Sequence, residues 1–462
     1  MTALRDYQLT MVLQIGEAFR RKRRVLGVLP TGGGKTQVFA HIAASAPGRT
    51  LIVCHRRELI RQASAKLAAA GVAHGVIAPR FERTSDAVQV GSVQTLDRRR
   101  GELPQFDLVV LDEAHHAVAG QWRRLLDDQP EARILGVTAT PERLDGRGLG
   151  DAFDIMVQGP SVPELIADEW LVPSRVFAPP APDMRGVTER AGDFAAEAVA
   201  EVMDVSGVTG DAVEHYVKHA ATEPAIAFCA SVAHAHHVAE QFRAQGWRAV
   251  AVDGSAKVAD RDAAIAGLVT GEVEVLCSCE LISEGLDVPA VSAVILLRPT
   301  QSLAMYLQMV GRGMRPARGK RYLTVLDHAG NAIRHGLPDV RREWRLGADA
   351  PKVRAPAIRQ CPICFAVHAP GPRCPGCGHV YTRAEAERRL VRAKDGTLTE
   401  LSADDYRLQV TPLRQLVKDA QTRAEVEQIA AARGYSDVWV DITMSHKRPR
   451  REKTTAAQDF AA

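Results

Sequence analysis

Residues 25–36 read Val-Leu-Gly-Val-Leu-Pro-Thr-Gly-Gly-Gly-Lys-Thr. The apolar run 25–29 has the length and Val/Leu content of a strand buried on both faces. Three glycines follow it, then a stretch of helical composition. Glycines let successive backbone N–H groups turn inward around a polyphosphate, where a Cβ would obstruct them. Lys35 supplies a point charge for the terminal phosphates, Thr36 a hydroxyl for Mg²⁺, and the helix N-terminus a partial positive charge. Thr31, Gly32, Gly33, Gly34, Lys35 and Thr36 are the candidate nucleotide-binding residues. The strict phosphate-loop pattern has glycine where this chain has Leu29, so a glycine-rich turn capping a helix is the plainer alternative.

Working outward, residues 108–111 form a second buried apolar run, Leu-Val-Val-Leu, and Asp112-Glu113-Ala114-His115 follow. Ligands of parallel α/β sheets gather at the carboxyl ends of strands, which would face these carboxylates toward the glycine loop. Asp112 is a candidate Mg²⁺ ligand and Glu113 a candidate to orient and deprotonate an attacking water. The competing reading is an acidic helix cap. Neither His115 nor His116 has further ligands placed to complete a metal shell.

Similar runs at 51–53, 88–90 and 134–137 alternate with helical stretches, which predicts βαβ units and a parallel sheet. Pro160, Pro163, Pro173, Pro179, Pro180 and Pro182 then break the pattern. It resumes at 226–228, 249–252, 273–276, 294–297 and 322–326. The fold class is α/β, two tandem parallel-sheet domains. The expected divisions are 1–158 and 206–348 for these domains and 159–205 for a proline-rich connector. After them come a cysteine module at 355–381, a helical region at 382–445 and a basic tail at 446–462. Helices are expected over 382–394 and 412–433, the second stopped by Gly434.

In the second domain, residues 308–315 read Gln-Met-Val-Gly-Arg-Gly-Met-Arg. On a helix, offsets of four and seven place Gln308, Arg312 and Arg315 on one face. Two arginines aimed together suit the charge that spreads over a transferring phosphoryl group. Upstream, Gly285 permits close backbone approach and Asp287 could accept from a ribose hydroxyl.

The chain has 462 residues and 50.1 kDa, too long for one ordinary domain, with 46% hydrophobic and 25% charged residues. No apolar run approaches the roughly 20 residues that cross a bilayer. The first ten residues lack the layout of a secretory signal, so a cytoplasmic protein is expected. A net charge of +4 neither demands nor excludes a nucleic-acid partner; phosphate binding would come from local patches. Four of the eight cysteines crowd together as Cys361-Pro-Ile-Cys364 and Cys374-Pro-Gly-Cys377. Two such knuckles supply four thiolates for a tetrahedral zinc, whose binding would fold a module too small for a core. A redox-active pair lacks its βαβ context. An iron–sulfur cluster is the other alternative.

Taken in order, LRDYQ (4–8), LPTGGGKT (29–36), VCHRRELIRQ (53–62), GSVQTL (91–96), DEAH (112–115), TATP (138–141), GLDVP (285–289) and QMVGRGMR (308–315) resemble the superfamily 2 helicases of the DEAH and type III restriction group. The resemblance covers about residues 4–330. It implies two RecA-like domains with ATP in the cleft between them. By the same resemblance, Arg5 and Gln8 recognise adenine. His115, Thr138 and Thr140 couple hydrolysis to movement, in concert with Gln308, and Arg56, Ser92 and Gln94 fall in motifs that touch the nucleic-acid backbone. The module order, with the ending GYSDVWV (434–440), is similar to RadD-type bacterial DNA-repair helicases and phage relatives.

A DNA-dependent ATPase that translocates on or unwinds DNA, in repair or replication, is the expectation, with ATP, Mg²⁺ and Zn²⁺ as cofactors. Backbone gripping does not report sugar type, so an RNA helicase or ribonucleoprotein remodeller stays open. An ATP-switched clamp or adaptor would carry a damaged Glu113 or Arg315, and both are present. A monomer with a possible protein partner at the cysteine module or C-terminal region, and no membrane partner, completes the expectation.

Overall fold

The computed structural model describes residues 4–117, 120–142, 148–179, 184, 187–190, 193–204, 206–254, 256–279, 288–347, 357–381, 416–417, 419–433, 440–441 and 443–444. Gly285, Asp287, the helix expected at 382–394 and the tail at 446–462 lie outside the described residues. Residues 1–387 and 388–462 form separate compact units.

The first lobe is built on seven strands: β1 (Arg24–Val28), β2 (Thr50–Cys54), β3 (His74–Ile77), β4 (Val88–Ser92), β5 (Leu108–Asp112), β6 (Arg133–Thr138) and β7 (Ile155–Gln158). They lie in the order β3-β4-β2-β5-β6-β1-β7, every neighbouring pair parallel. Alternate residues feed opposite faces. Val25, Ile52, Val110 and Leu135 enter one core, and Leu26, Leu51, Val53, Val109 and Ile134 the other. Burial on both faces explains why these strands read as continuous apolar runs. The edge strands β3 and β7 are less apolar and the sequence pattern did not mark them.

The second lobe uses β8 (Ser174–Phe177), β11 (Ala225–Cys229), β12 (Ala249–Val252), β13 (Val275–Ser278), β14 (Ala293–Leu297) and β15 (Leu323–Asp327). A small pair, β9 (Glu189–Arg190) and β10 (Asp193–Phe194), stands apart. The sheet runs β12-β13-β11-β14-β15-β8 in parallel. It continues with β17 (Ala366–His368) and β16 (Arg359–Gln360) of the cysteine module, added antiparallel. Two tandem α/β lobes of RecA type are thus present.

Three expectations are corrected here. The stretch 159–205 is more than a connector: it carries the helix Val162–Ala167 and β8, a strand interior to the second sheet. The prolines are compatible with this because they flank β8 rather than interrupt it; Pro173 precedes it and Pro179 follows. The cysteine module does not stand alone, since Val367 pairs with Val176 and Ala366 with Phe177. In the C-terminal unit, the helix expected over 412–433 is interrupted, and Arg423–Arg433 begins afresh. Thr422 Oγ1 accepts from Glu425 N at 3.3 Å and Glu425 Oε2 from Thr422 N at 2.9 Å, a reciprocal cap that restarts it.

After β15 the chain returns to the first lobe. Trp344 and Leu346 pack against its core.

Candidate nucleotide site and cysteine cluster

The glycine loop leaves β1 and is closed underneath by Leu29, which is fully buried. A Cβ added at Gly33 would stand 2.9 Å from Leu29 Cγ. The departure from the strict pattern is therefore a core residue filling the space under the loop. Gly32 and Gly34 both adopt φ of +88°, a conformation costly for any residue with a Cβ. Gly34 starts the helix Lys35–Ser45, so Lys35 and Thr36 occupy its first turn. The Thr31 hydroxyl is buried without a hydrogen-bond partner among the described residues. Such an orphan at a loop of inward-turned amides fits a phosphate-bearing ligand.

Arg5, Tyr7 and Gln8 reach the same loop. Tyr7 Oη donates to Gly33 O at 2.8 Å and Gln8 Nε2 to the same oxygen at 3.1 Å. Arg5 N donates to Gln8 Oε1 at 3.0 Å, and Arg5 Nη1 to Tyr7 Oη at 3.0 Å. Tyr7 was not singled out in the sequence; its place between Arg5 and Gln8 was the available signal.

Asp112 ends β5 and Glu113 follows it, one strand across β6 from the loop's own strand. Glu113 is left-handed at φ 54°, unusual for a residue with a side chain, and its N–H donates to Asp112 Oδ1 at 3.1 Å. Burial, with the neighbouring Glu113 charge, raises Asp112 to about 7. A buried carboxyl of this kind gains most from a cation. Glu113 Oε1 lies 3.9 Å from Lys35 Nζ. Its other oxygen lies 3.4 Å from His115 Nδ1 and accepts from Gln308 Nε2, in the second lobe, at 3.3 Å. Thr138 Oγ1 stands 3.4 Å from His115 Nδ1 and donates to Thr140 O at 3.0 Å. The carboxylate, His115 and the Thr138–Thr140 turn thus form one buried polar chain.

Gln308 sits on the helix Leu303–Gly313, with Arg312 in its last turn. Arg315 lies beyond the helix end, so the expected three-residue helical face is corrected. Arg315 still reaches the loop: its Cγ is 3.5 Å from the point where a Gly32 Cβ would be. At Gly311, an added Cβ would stand only 2.6 Å from Thr31 Cβ, so the two lobes touch at the loop itself.

The residues assigned to nucleic acid cluster at the carboxyl ends of β2 and β4. Gln94 is exposed, and its Nε2 donates to His55 O at 3.2 Å; Arg56 precedes the helix Arg57–Ala69. Ser92 is nearly buried, and its hydroxyl accepts from Thr95 N at 3.2 Å and donates to Thr95 Oγ1 at 2.8 Å. Capping occupies that side chain.

In the cysteine module, the sulfurs of Cys361, Cys364, Cys374 and Cys377 all lie within 4.8 Å of one another. Cys361–Cys377 and Cys364–Cys374 are each 3.6 Å apart. Four ligands at about 2.3 Å around one tetrahedral ion stand about 3.8 Å apart, so the set fits such an ion. Burial opposes charge on Cys361, but the N–H groups of Cys364 and Ile363 outweigh it and bring the thiol down to about 6. His368 is committed to Ala369 O at 2.7 Å and Tyr381 Oη at 2.8 Å.

A phosphate-type loop in one parallel-sheet lobe, completed by a glutamine and arginines from another, defines the class of two-lobed RecA-like ATPases. The family "Type III restriction enzyme, res subunit" matches residues 1–143, and "Helicase conserved C-terminal domain" residues 209–317. A 51.5 kDa protein of a Lactococcus phage is 31% identical over 416 residues, covering 86% of this chain and 88% of that protein. A Saccharomyces cerevisiae protein named "Putative ATP-dependent helicase IRC3" is 30% identical over 356 residues, 71% of this chain and 51% of its own length. The chain therefore spans about half of that relative. The DNA-bound ATP-dependent Type ISP restriction-modification enzyme LlaBIII shares the fold at TM-score 0.53 and 17% identity, over 70% of this chain and 27% of that one. The chain belongs to the type III restriction-like helicases of superfamily 2, ATP-dependent enzymes acting on nucleic acid. No helix among the described residues is long and apolar enough to cross a membrane.

Proposed function

We propose that this helicase uses Mg-ATP to move along or unwind DNA, serving DNA repair or replication in the cytoplasm as a monomer. The observation that carries the reading is Glu113, held between Lys35 of one lobe and Gln308 of the other. Lys35 and the loop amides bind the phosphates. Thr36 and Asp112 would hold Mg²⁺, which supplies charge neutralisation at the terminal phosphates. Glu113 orients and deprotonates the attacking water, and Arg312 and Arg315 stabilise charge on the transferring group. Because the second lobe brings the arginines, hydrolysis needs closure, and closure changes the spacing of two backbone grips. Arg56 and Gln94 belong to the first grip, the motifs at 228–231 and 253–255, similar to the backbone-contacting motifs of such helicases, to the second, and Gly285 and Asp287 would meet the ribose.

The four thiolates would hold structural zinc, and either the module or the C-terminal region would serve as a contact for DNA or a protein partner. The reading for DNA is supported by the Type ISP restriction-modification enzyme of like fold, which is bound to DNA. ATP turnover measured with single-stranded, forked and duplex DNA and with RNA tests the proposal. Many-fold stimulation by DNA, lost in Lys35→Ala, is expected; equal turnover with no nucleic acid would reject it, and preference for RNA would reject the DNA assignment.

A further inference from the structure

Trp170 lies outside every motif, in the stretch expected to be a connector. It is anchored with the second lobe. Helix Val162–Ala167 ends in a turn where Trp170 N and Leu171 N both donate to Leu165 O, at 2.8 and 3.0 Å. Leu165, Leu171 and Val172 are buried in the second-lobe core, and Val172 N donates to Met314 O at 2.8 Å, at the end of the helix carrying Gln308 and Arg312. The turn aims the indole at the first lobe. There the Arg5 guanidinium lies 4.0 Å from the centre of the Trp170 ring, and the Tyr7 ring centre is 6.3 Å away. Trp170 keeps about a third of its surface exposed. Leu171, next in the chain, meets the phosphate loop: its Cδ2 is 2.9 Å from the position of a Gly32 Cβ.

We propose that Trp170 is a positioning residue for the nucleotide base: it holds the Arg5 guanidinium flat, so that a purine stacks on the arginine's other face. An arginine on a surface loop is otherwise mobile, and a planar cation is attracted to an indole face and to a base alike. Tyr7, bonded to both Arg5 and the loop, fixes the edge of this platform. The consequence is that the wall of the base subsite, Arg5 of the first lobe, is backed by a residue of the second. Base binding then favours the closed arrangement, as the arginines do at the phosphate end. This deepens the proposed ATP site and rests on it.

The test uses the full chain with Trp170→Ala and Trp170→Phe, and compares ATP with inorganic tripolyphosphate, which has no base. In Trp170→Ala, KM for ATP rises about three- to thirtyfold. Its inhibition by tripolyphosphate stays at the parent value, and Trp170→Phe recovers most of the loss. ADP changes the tryptophan emission of the parent protein, tripolyphosphate does not, and the ADP response disappears in Trp170→Phe. An unchanged ratio of ATP to tripolyphosphate affinity in Trp170→Ala, or equal weakening of both, overturns the inference. Failure of the parent protein to bind either compound instead overturns the ATP site itself.

Discussion

Gln308 and Glu113 stand 195 positions apart in the chain, yet Gln308 Nε2 donates to Glu113 Oε2 at 3.3 Å in a buried setting. The carboxylate that would activate water is thereby in contact with the lobe that would supply the arginines.

Removing the charge and removing the contact should have separable effects. Glu113→Gln keeps the shape of the site and should lower turnover about 10²- to 10⁴-fold while ATP still binds. Gln308→Ala leaves the base intact but ends its registration, and should cost about 10- to 100-fold in turnover, with KM little changed. Steady-state kinetics of both variants with saturating DNA check this; a silent Gln308→Ala would refute the role of the contact.

Gly311 makes a sharper test of lobe docking. Gly→Ala within a helix ordinarily stabilises by about 1 kcal/mol. Here the added methyl would lie 2.6 Å from Thr31 Cβ across the seam. Gly311→Ala should therefore lose at least about tenfold in turnover, equivalent to ~1.4 kcal/mol, while the second lobe's melting temperature holds or rises.

Restoring the strict loop pattern should do harm. Leu29→Gly opens space beneath Gly33 and Gly159, and the loss of a buried leucine costs about 2–5 kcal/mol. Chemical denaturation of the first lobe measures it. Wild-type stability in Leu29→Gly would contradict the packing role given to Leu29.

The metal prediction is read away from the cysteines. The amide of Ala178 donates to Phe365 O at 3.0 Å, and β8 pairs with β17. Stripping zinc with a chelator, or Cys361→Ser, should speed hydrogen exchange at Ala178 at least about tenfold and leave β1 protected. Metal analysis should return about one zinc per chain.

Acid should attack the second lobe first. Burial lowers His328 to about 3, and His234 and His335 to about 4. Each folded value lies below the unfolded one, near 6.5, so the unfolded chain binds more protons in between. This contribution is fully present above pH 6.5 and is lost as pH falls toward 4 for His234 and His335 and toward 3 for His328, by up to about 1.4 kcal/mol per pH unit for each histidine. His328→Leu should flatten the slope of stability against pH by one such increment.

Much of this is legible in the sequence itself. The strands buried on both faces showed as apolar runs because parallel sheets need them, whereas the edge strands β3 and β7 are less apolar and passed unnoticed. The glycine loop and the Asp112–Glu113 pair were readable because their chemistry is set by spacing over a few residues. Helical spacing misled at Arg315, since the helix ends at Gly313 and a turn, not a face, brings the arginine to the loop. Prolines around β8 hid a strand, because a proline beside a strand and a proline breaking one differ only in where the hydrogen bonds fall.

Local chemistry, then, was settled by order along the chain: which groups can cradle a phosphate, which can take a metal, which strands must be buried. Tertiary structure alone decided that Glu113 meets Gln308, that Trp170 covers Arg5, and that β17 extends the second sheet. Those contacts depend on complementary surfaces formed by residues one to two hundred positions apart, and no short-range periodicity encodes such a surface.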